Sequence, residues 1–205
     1  MNYLCIGLNQ RTAPVEVREK FAVARGKMAE FGRRMREETG VAELVVVSTC
    51  NRTEYYLASG DQDTAGRVLD WLRGEAGLGA DQMDHFFQHD GAHAARHLCS
   101  VVGGLDSMVI GETEVFGQVK QAYQEALEAG LTGGLLNRLF QRAFSVGKRL
   151  RRETAIQSGA TSVGSVAVEL ADKIFGHLRE STVMVLGAGE MSRITAPVSY
   201  THLTL

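Results

Sequence analysis

Cys50 stands in the stretch STCNRTEYY, residues 48–56, directly behind the apolar run ELVVV. A thiol at the C-terminal end of a buried strand, entering a polar turn, sits where loops build reactive sites. Arg52 follows two residues later. Its charge favours a thiolate, and its planar fork suits a carboxylate. Thr49 and Asn51 add neutral hydrogen-bonding groups on either side of the thiol. The other reading of the same position is a buried cysteine used for packing. Cys5 and Cys99 fall within apolar strand and helix patterns and read as structural.

Two further clusters carry chemistry. His85, His89, His93 and His97 are spaced by four. On one unbroken helix they would form a stripe able to ligate a metal. Asp90–Gly91 interrupts that helix, so His93 and His97 alone share a face, and no HExxH accompanies them. Solvated or capping histidines are the bland reading, and a general acid or base the sharper one. The second cluster is VMVLGAGEMS, residues 183–192. An apolar strand runs into Gly187, and Gly189 lets backbone approach a pyrophosphate at a helix N-terminus. Ser192 stands at the third fingerprint position, where Gly or Ala is usual. The basic run KRLRRE, residues 148–153, complements a helix dipole or contacts RNA phosphates.

These residues need elements to hold them. Short buried strands are expected over NYLCIGLN, ELVVVST and TEYYLAS, with amphipathic helices between and after them. Gly40 and Gly130 mark helix ends. Strand, helices, strand, strand, helix and then a mostly helical stretch make an α+β domain. Between two of the later helices lies GGLDSMVIGETE, a Gly-rich acidic loop. The domain boundary falls near Thr154–Ser158.

The bulk numbers narrow the function classes. The chain has 205 residues, 44% of them hydrophobic, enough for a sizeable core. A net charge of −2 gives no global field for nucleic acid or an anionic membrane. Three cysteines at irregular spacing make neither a disulfide framework nor a zinc pattern, which fits a reducing cytoplasmic setting. No apolar run approaches a membrane span, and the start MNYLCIGLN lacks the basic and apolar regions of a signal peptide. On the residues alone, three classes stay open. They are a cysteine-dependent reductase, another cysteine enzyme (an acyl transferase or acylating aldehyde dehydrogenase), and a non-catalytic RNA- or nucleotide-binding module.

Five stretches taken together resemble the glutamyl-tRNA reductase family. They are GLNQRTAPVEVREKF, VVSTCNRTEYY, HLCSVVGGLDSMVIGETEVFGQVKQAY, LFQRAFSVGKRLRRET and VLGAGEMS, in the family's order. The resemblance implies NADPH-dependent reduction of glutamyl-tRNA(Glu) to glutamate-1-semialdehyde through a cysteine thioester. That reaction opens the five-carbon route to tetrapyrroles (porphyrins). It implies Cys50 as nucleophile and His97 as the histidine that assists the chemistry. Thr49, Asn51, Arg52, Ser107, Glu112, Thr113, Glu114 and Gln118 match the glutamyl-binding positions, with Arg52 on the substrate carboxylate. Gly187, Ala188, Gly189, Glu190, Met191 and Ser192 match the NADPH phosphate turn. No metal is implied.

The implied architecture is an α+β catalytic domain over 1–154, then the first βα unit of a truncated Rossmann-like α/β domain over 155–196. Residues 197–205 read as a tail foreign to the family, with Pro197 where a helix should run on. Family members continue through a full nucleotide domain and a dimerisation domain, so the chain reads as a fragment. The resemblance also implies homodimers of the full-length protein and contact with the next enzyme, glutamate-1-semialdehyde aminomutase. The loop departs from the family's usual GEPQ: here it is GETE. Thr113 replaces a stiffening ring, and Glu114 puts negative charge near a glutamyl site.

Overall fold

The computed structural model describes residues 2–24, 26–61, 63–77, 80–157, 162–176, 178, 181–187, 193 and 195–200. Four strands form one antiparallel sheet: β1 (Asn2–Asn9), β2 (Glu43–Ser48), β3 (Arg52–Ser59) and β4 (Phe87–Asp90), in the order β2-β3-β1-β4. The helices are α1 (Val15–Phe21), α2 (Met28–Thr39), α3 (Thr64–Ala76), α4 (Gly91–Val102), α5 (Glu114–Glu128), α6 (Gly134–Glu153) and α7 (Val163–Phe175).

Helices cover the sheet on both faces, which is why its strands read as near-continuous apolar runs. Cys5, Val45, Val47 and Tyr56 point to one face and pack with Leu98, Val119 and Phe140 of α4, α5 and α6. Ile6, Leu8, Leu44, Val46 and Tyr55 point to the other and pack with Phe21, Met35 and Val68 of α1, α2 and α3. The period of two along each strand makes this sorting automatic.

The start of β2 also fixes α6. The buried Glu43 carboxylate accepts hydrogen bonds from the backbone N–H groups of Gly133, Leu135 and Leu136 at 2.9, 3.1 and 2.7 Å. An anion at a helix N-terminus satisfies orphan donors and meets the positive end of the dipole. Gly7 in β1 serves the site directly. It pairs with Glu54, and a Cβ there would lie 2.9 Å from Glu54 Cγ. Glycine leaves the room in which the Glu54 side chain lies.

Three expectations change. The stretch Phe87–Asp90 is a strand on the edge of the sheet, pairing with Leu4 to Gly7 of β1, and α4 begins immediately after it. Residues 181–187, expected as the strand VMVL, are neither strand nor helix. Val183, Met184, Val185 and Leu186 are exposed. An apolar strand is held only by neighbours that pair with its backbone and cover its faces, and no described strand pairs with this one. Gly187 has a φ of 114°, and the rest of the expected turn, Ala188 to Ser192, lies outside the described residues. Residues 195–200 are helical, so Pro197 sits within a helical segment instead of ending one. Among the described residues no helix is long and apolar enough to cross a membrane.

The basic run ends α6. Arg151 lies over the Phe116 ring at 4.4 Å, while Arg149 and Arg152 both pair with Glu153 at the exposed helix end.

Candidate active site

The turn that carries Cys50 joins β2 to β3. The Thr49 N–H donates to the Arg52 carbonyl at 2.8 Å, and the Thr49 hydroxyl accepts from the N–H groups of Asn51 and Arg52, both at 3.2 Å. Threonine thus ties the turn shut from its first residue, as a short hydroxyl does in such loops. Cys50 is the exposed cysteine at its tip. It opens on a cavity of about 240 Å³ lined also by Ser48, Thr49, Gln118, Gln121 and Glu125. Cys50 and its neighbour Thr49 therefore share one cavity with Gln118, which comes from far along the chain.

Arg52 takes a different direction from the thiol. β3 places Arg52, Glu54 and Tyr56 on the sheet face beneath α4. The Arg52 guanidinium is 2% exposed. Its Nη1 donates to Glu54 Oε1 at 2.8 Å and to Asp106 Oδ2 at 3.0 Å, and its Nη2 donates to the Asp106 carbonyl at 2.6 Å. Burial opposes the Arg52 charge, and the two carboxylates outweigh it and hold the group above its ordinary value. The cation at the Cys50 backbone is Arg18, whose Nη2 reaches the Cys50 carbonyl at 3.4 Å.

Glu54 is the hub beneath the site. It is fully buried, and His97 Nε2 lies 3.0 Å from its Oε1. The Tyr56 hydroxyl donates to Oε2 at 2.6 Å. Burial works against ionisation of Glu54. The hydrogen bond from His97, the charge of Arg52 and the Tyr56 hydroxyl overcome it and bring the carboxyl down to about 2. With Glu54 ionised and able only to accept, His97 Nε2 is the donor in this contact. Cys5 lies against this group: its thiol, a Glu54 oxygen and a His97 nitrogen all fall within 4.8 Å of one another. Burial first, then the Glu54 charge, pushes the Cys5 thiol up, so it stays protonated. Within the trio His97 is hydrogen-bonded to Glu54, and Arg52 already pairs with the same carboxylate.

The histidines sort by element. His97 of α4 and His89 of β4 face each other with ring centroids 5.0 Å apart, and Phe87 packs edge-on against His97 at the same distance. Burial, then the neighbouring His97, lowers the His89 pKa. His93 lies exposed beside Asp90, and the His85 ring Nδ1 contacts the Thr12 carbonyl at 2.8 Å. The pair that meets is thus His89–His97, formed by the unforeseen strand β4, and not His93–His97.

The loop between α4 and α5 supplies the rest. Asp106 bridges Arg52 and Arg11, the latter at 2.9 Å. Ser107 is 4% exposed and its hydroxyl is left without a protein partner. Glu112 is half-buried, Thr113 exposed, and Glu114 opens α5 as an acid in the first helical turn. Gly111 locks this loop against the end of α6: at φ 84°, a Cβ there would lie 2.0 Å from the Ile156 carbonyl oxygen. Sequence reading missed Glu54, Asp106 and Tyr56. The signal for two of them was the period of two in Arg52, Glu54 and Tyr56, which sets charged groups on a buried face.

The fold and site define an α+β domain that presents an accessible cysteine above a buried Arg–Glu–His network. Residues 6–154 match the family model for the glutamyl-tRNAGlu reductase N-terminal domain. A glutamyl-tRNA reductase of Akkermansia muciniphila is 53% identical over 196 residues, covering 95% of this chain and 58% of that protein. One from Geobacter metallireducens is 44% identical over 200 residues, covering 96% and 46%. The solved glutamyl-tRNA reductase from Methanopyrus kandleri superposes with a TM-score of 0.70 at 37% identity, over 98% of this chain and 47% of that one. The chain belongs to the glutamyl-tRNA reductase family, and it spans about half the length of the relatives it matches.

Proposed function

We propose that residues 1–154 are the acyl-transfer domain of a glutamyl-tRNA reductase, with Cys50 as nucleophile. One observation carries this: the exposed Cys50 shares a cavity with Thr49 and with Gln118 of α5, and the hairpin that bears Cys50 sends Arg52 into the Glu54–His97 network. The Cys50 sulfur attacks the ester carbonyl of glutamyl-tRNA(Glu). The carbon–oxygen bond to the tRNA ribose breaks, and a thioester remains. The proton released from the thiol is returned to the departing ribose oxygen, with His97 as the relay. Glu54 fixes the His97 ring and its tautomer, the usual role of the third group behind a catalytic base.

Substrate choice rests on Arg52, because a guanidinium reads a carboxylate through two parallel donors. An amide in place of the substrate carboxylate leaves that buried charge poorly matched, a strong basis for rejection. Ser107, Gln118 and the loop residues Glu112, Thr113 and Glu114 complete the glutamyl pocket, with Asn51 beside the nucleophile. The unpaired buried Ser107 hydroxyl supports this assignment.

In the family reaction NADPH supplies the hydride that converts the thioester to glutamate-1-semialdehyde, the entry to tetrapyrroles. The described residues do not form a cradle for it. Gly187 adopts a turn conformation, but the apolar run before it is exposed and unpaired. Homodimerisation and transfer of the semialdehyde to an aminomutase are carried by the family likeness alone, as is a cytoplasmic setting.

The test is to supply this polypeptide with glutamyl-tRNA and NADPH and to follow both aldehyde and free glutamate. Slow release of glutamate and tRNA, with no aldehyde, is expected from a thioester that only water resolves. NADPH-dependent aldehyde would overturn the division of labour between the two domains. Release of neither product above the uncatalysed rate would overturn the acyl-transfer role.

A further inference from the structure

Arg52 is the group proposed to read the substrate carboxylate, yet a carboxylate of the chain itself already lies on it. Asp106 Oδ2 accepts from Arg52 Nη1 at 3.0 Å, and the Asp106 carbonyl accepts from Nη2 at 2.6 Å. Both terminal nitrogens of the fork are engaged. Glu54 holds the inner side, fully buried, while the Asp106 side chain is 15% exposed and lies on the solvent side. A ligand carboxylate that reaches Arg52 from solvent meets Asp106 first.

Asp106 also has somewhere to go. Its second oxygen pairs with Arg11 Nη1 at 2.9 Å, and Arg11 is 60% exposed. The bridge runs from the buried guanidinium to a solvent-facing one. Releasing the inner contact leaves the outer one intact, so the aspartate is never stranded without a cation. The loop that carries Asp106 is bracketed by Gly104 and Gly111, both at positive φ. Leu105, Met108 and Ile110 in that loop are exposed, so few apolar contacts resist its displacement. Next to Asp106 is the buried, unpartnered Ser107 hydroxyl, a donor already in place for an incoming oxygen.

We infer that Asp106 is a specificity-determining placeholder: it occupies the carboxylate site of Arg52 and is exchanged, by transfer to Arg11, for the side-chain carboxylate of the substrate. This rests on Arg52 reading that carboxylate. The exchange swaps one carboxylate for another, so the buried charge stays balanced throughout. A neutral amide cannot make that swap without leaving Arg52 short of a counter-charge. The placeholder lowers affinity for every carboxylate ligand and so acts as a threshold that weak or misaligned acids do not cross.

The probe is free L-glutamate, read as its protection of Cys50 against iodoacetamide, with L-glutamine as the neutral comparison. Asp106→Asn is expected to lower the glutamate concentration that half-protects Cys50 by about tenfold or more, with a smaller change for glutamine. Arg11→Ala removes the outward holder and is expected to raise that concentration severalfold. The two variants move glutamate protection in opposite directions, which loss of folding cannot do, and far-ultraviolet circular dichroism checks the fold of each. Unchanged or weaker protection in folded Asp106→Asn, or no protection by glutamate in either protein, would overturn the inference. Acylation of wild-type Cys50 by glutamyl-tRNA, measured on the same preparation, keeps the outcomes apart. If Cys50 is acylated but protection does not shift, only the placeholder falls. If Cys50 is not acylated, the underlying site assignment falls as well.

Discussion

His97 and Glu54 are 43 residues apart in the chain and 3.0 Å apart in the fold, joined by a hydrogen bond in which the Glu54 side chain is fully buried and the His97 side chain 11% exposed. The contact needs β3 to aim Glu54 at α4, β1 to leave room at Gly7, and α4 to start just after β4. It therefore links the fold to the site and carries the clearest pH dependence in the molecule.

Glu54 has a folded pKa of about 2 against an ordinary value of 4.5. Its pKa is depressed on folding, so the stabilisation it gives is fully present above about pH 4.5 and is lost as pH falls toward 2. The whole effect is on the order of 3 kcal/mol. Urea unfolding of wild type and Glu54→Gln across pH 7 to 3 checks it. The wild-type stability should fall more steeply below pH 4.5 than that of the variant. Parallel curves would show that Glu54 is not held ionised by its partners.

Arg52→Lys looks, on sequence alone, like a lesion of substrate choice. The buried fork adds a stability cost, since a lysine is a point charge and cannot bridge Glu54 and Asp106 with the same three hydrogen bonds. A loss of about 1–3 kcal/mol is expected for Arg52→Lys, and about 3–5 kcal/mol for Arg52→Ala, which strands a buried carboxylate. Thermal denaturation at pH 7 measures both. A lysine variant as stable as wild type would mean that the fork contributes charge and no geometry.

Gly111→Ala tests how the loop between α4 and α5 is anchored. The positive φ costs an alanine about 1–2 kcal/mol, and its Cβ would run into the Ile156 carbonyl. The loop must then leave α6, carrying Asp106 and Ser107 with it. Weaker glutamate protection of Cys50 is expected, together with a lower melting temperature. Wild-type behaviour in both would mean that the loop adapts without moving the site.

Much of the frame was legible in the sequence because it depends on local signals. The three apolar strands, the glycine that ends α2, and the turn at Cys50 each follow from a few adjacent residues. The strand Phe87–Asp90 was not, because FQHD has no apolar run and is defined only by its pairing with β1. Asp106 was missed for a similar reason. It lies in an irregular loop, and its role comes from an arginine 54 residues away. VMVL failed in the opposite sense: the pattern of a buried strand is present, but a strand needs neighbours, and no described strand supplies one.

The most direct measurement is the mass of the intact chain after exposure to glutamyl-tRNA without NADPH, quenched in acid and followed by peptide mapping. One glutamyl group on Cys50, absent from Cys50→Ser and absent when glutaminyl-tRNA is used, is the expected result. An unmodified chain of verified fold, or a glutamyl group on Cys5 or Cys99, would contradict the assignment of Cys50 as the nucleophile.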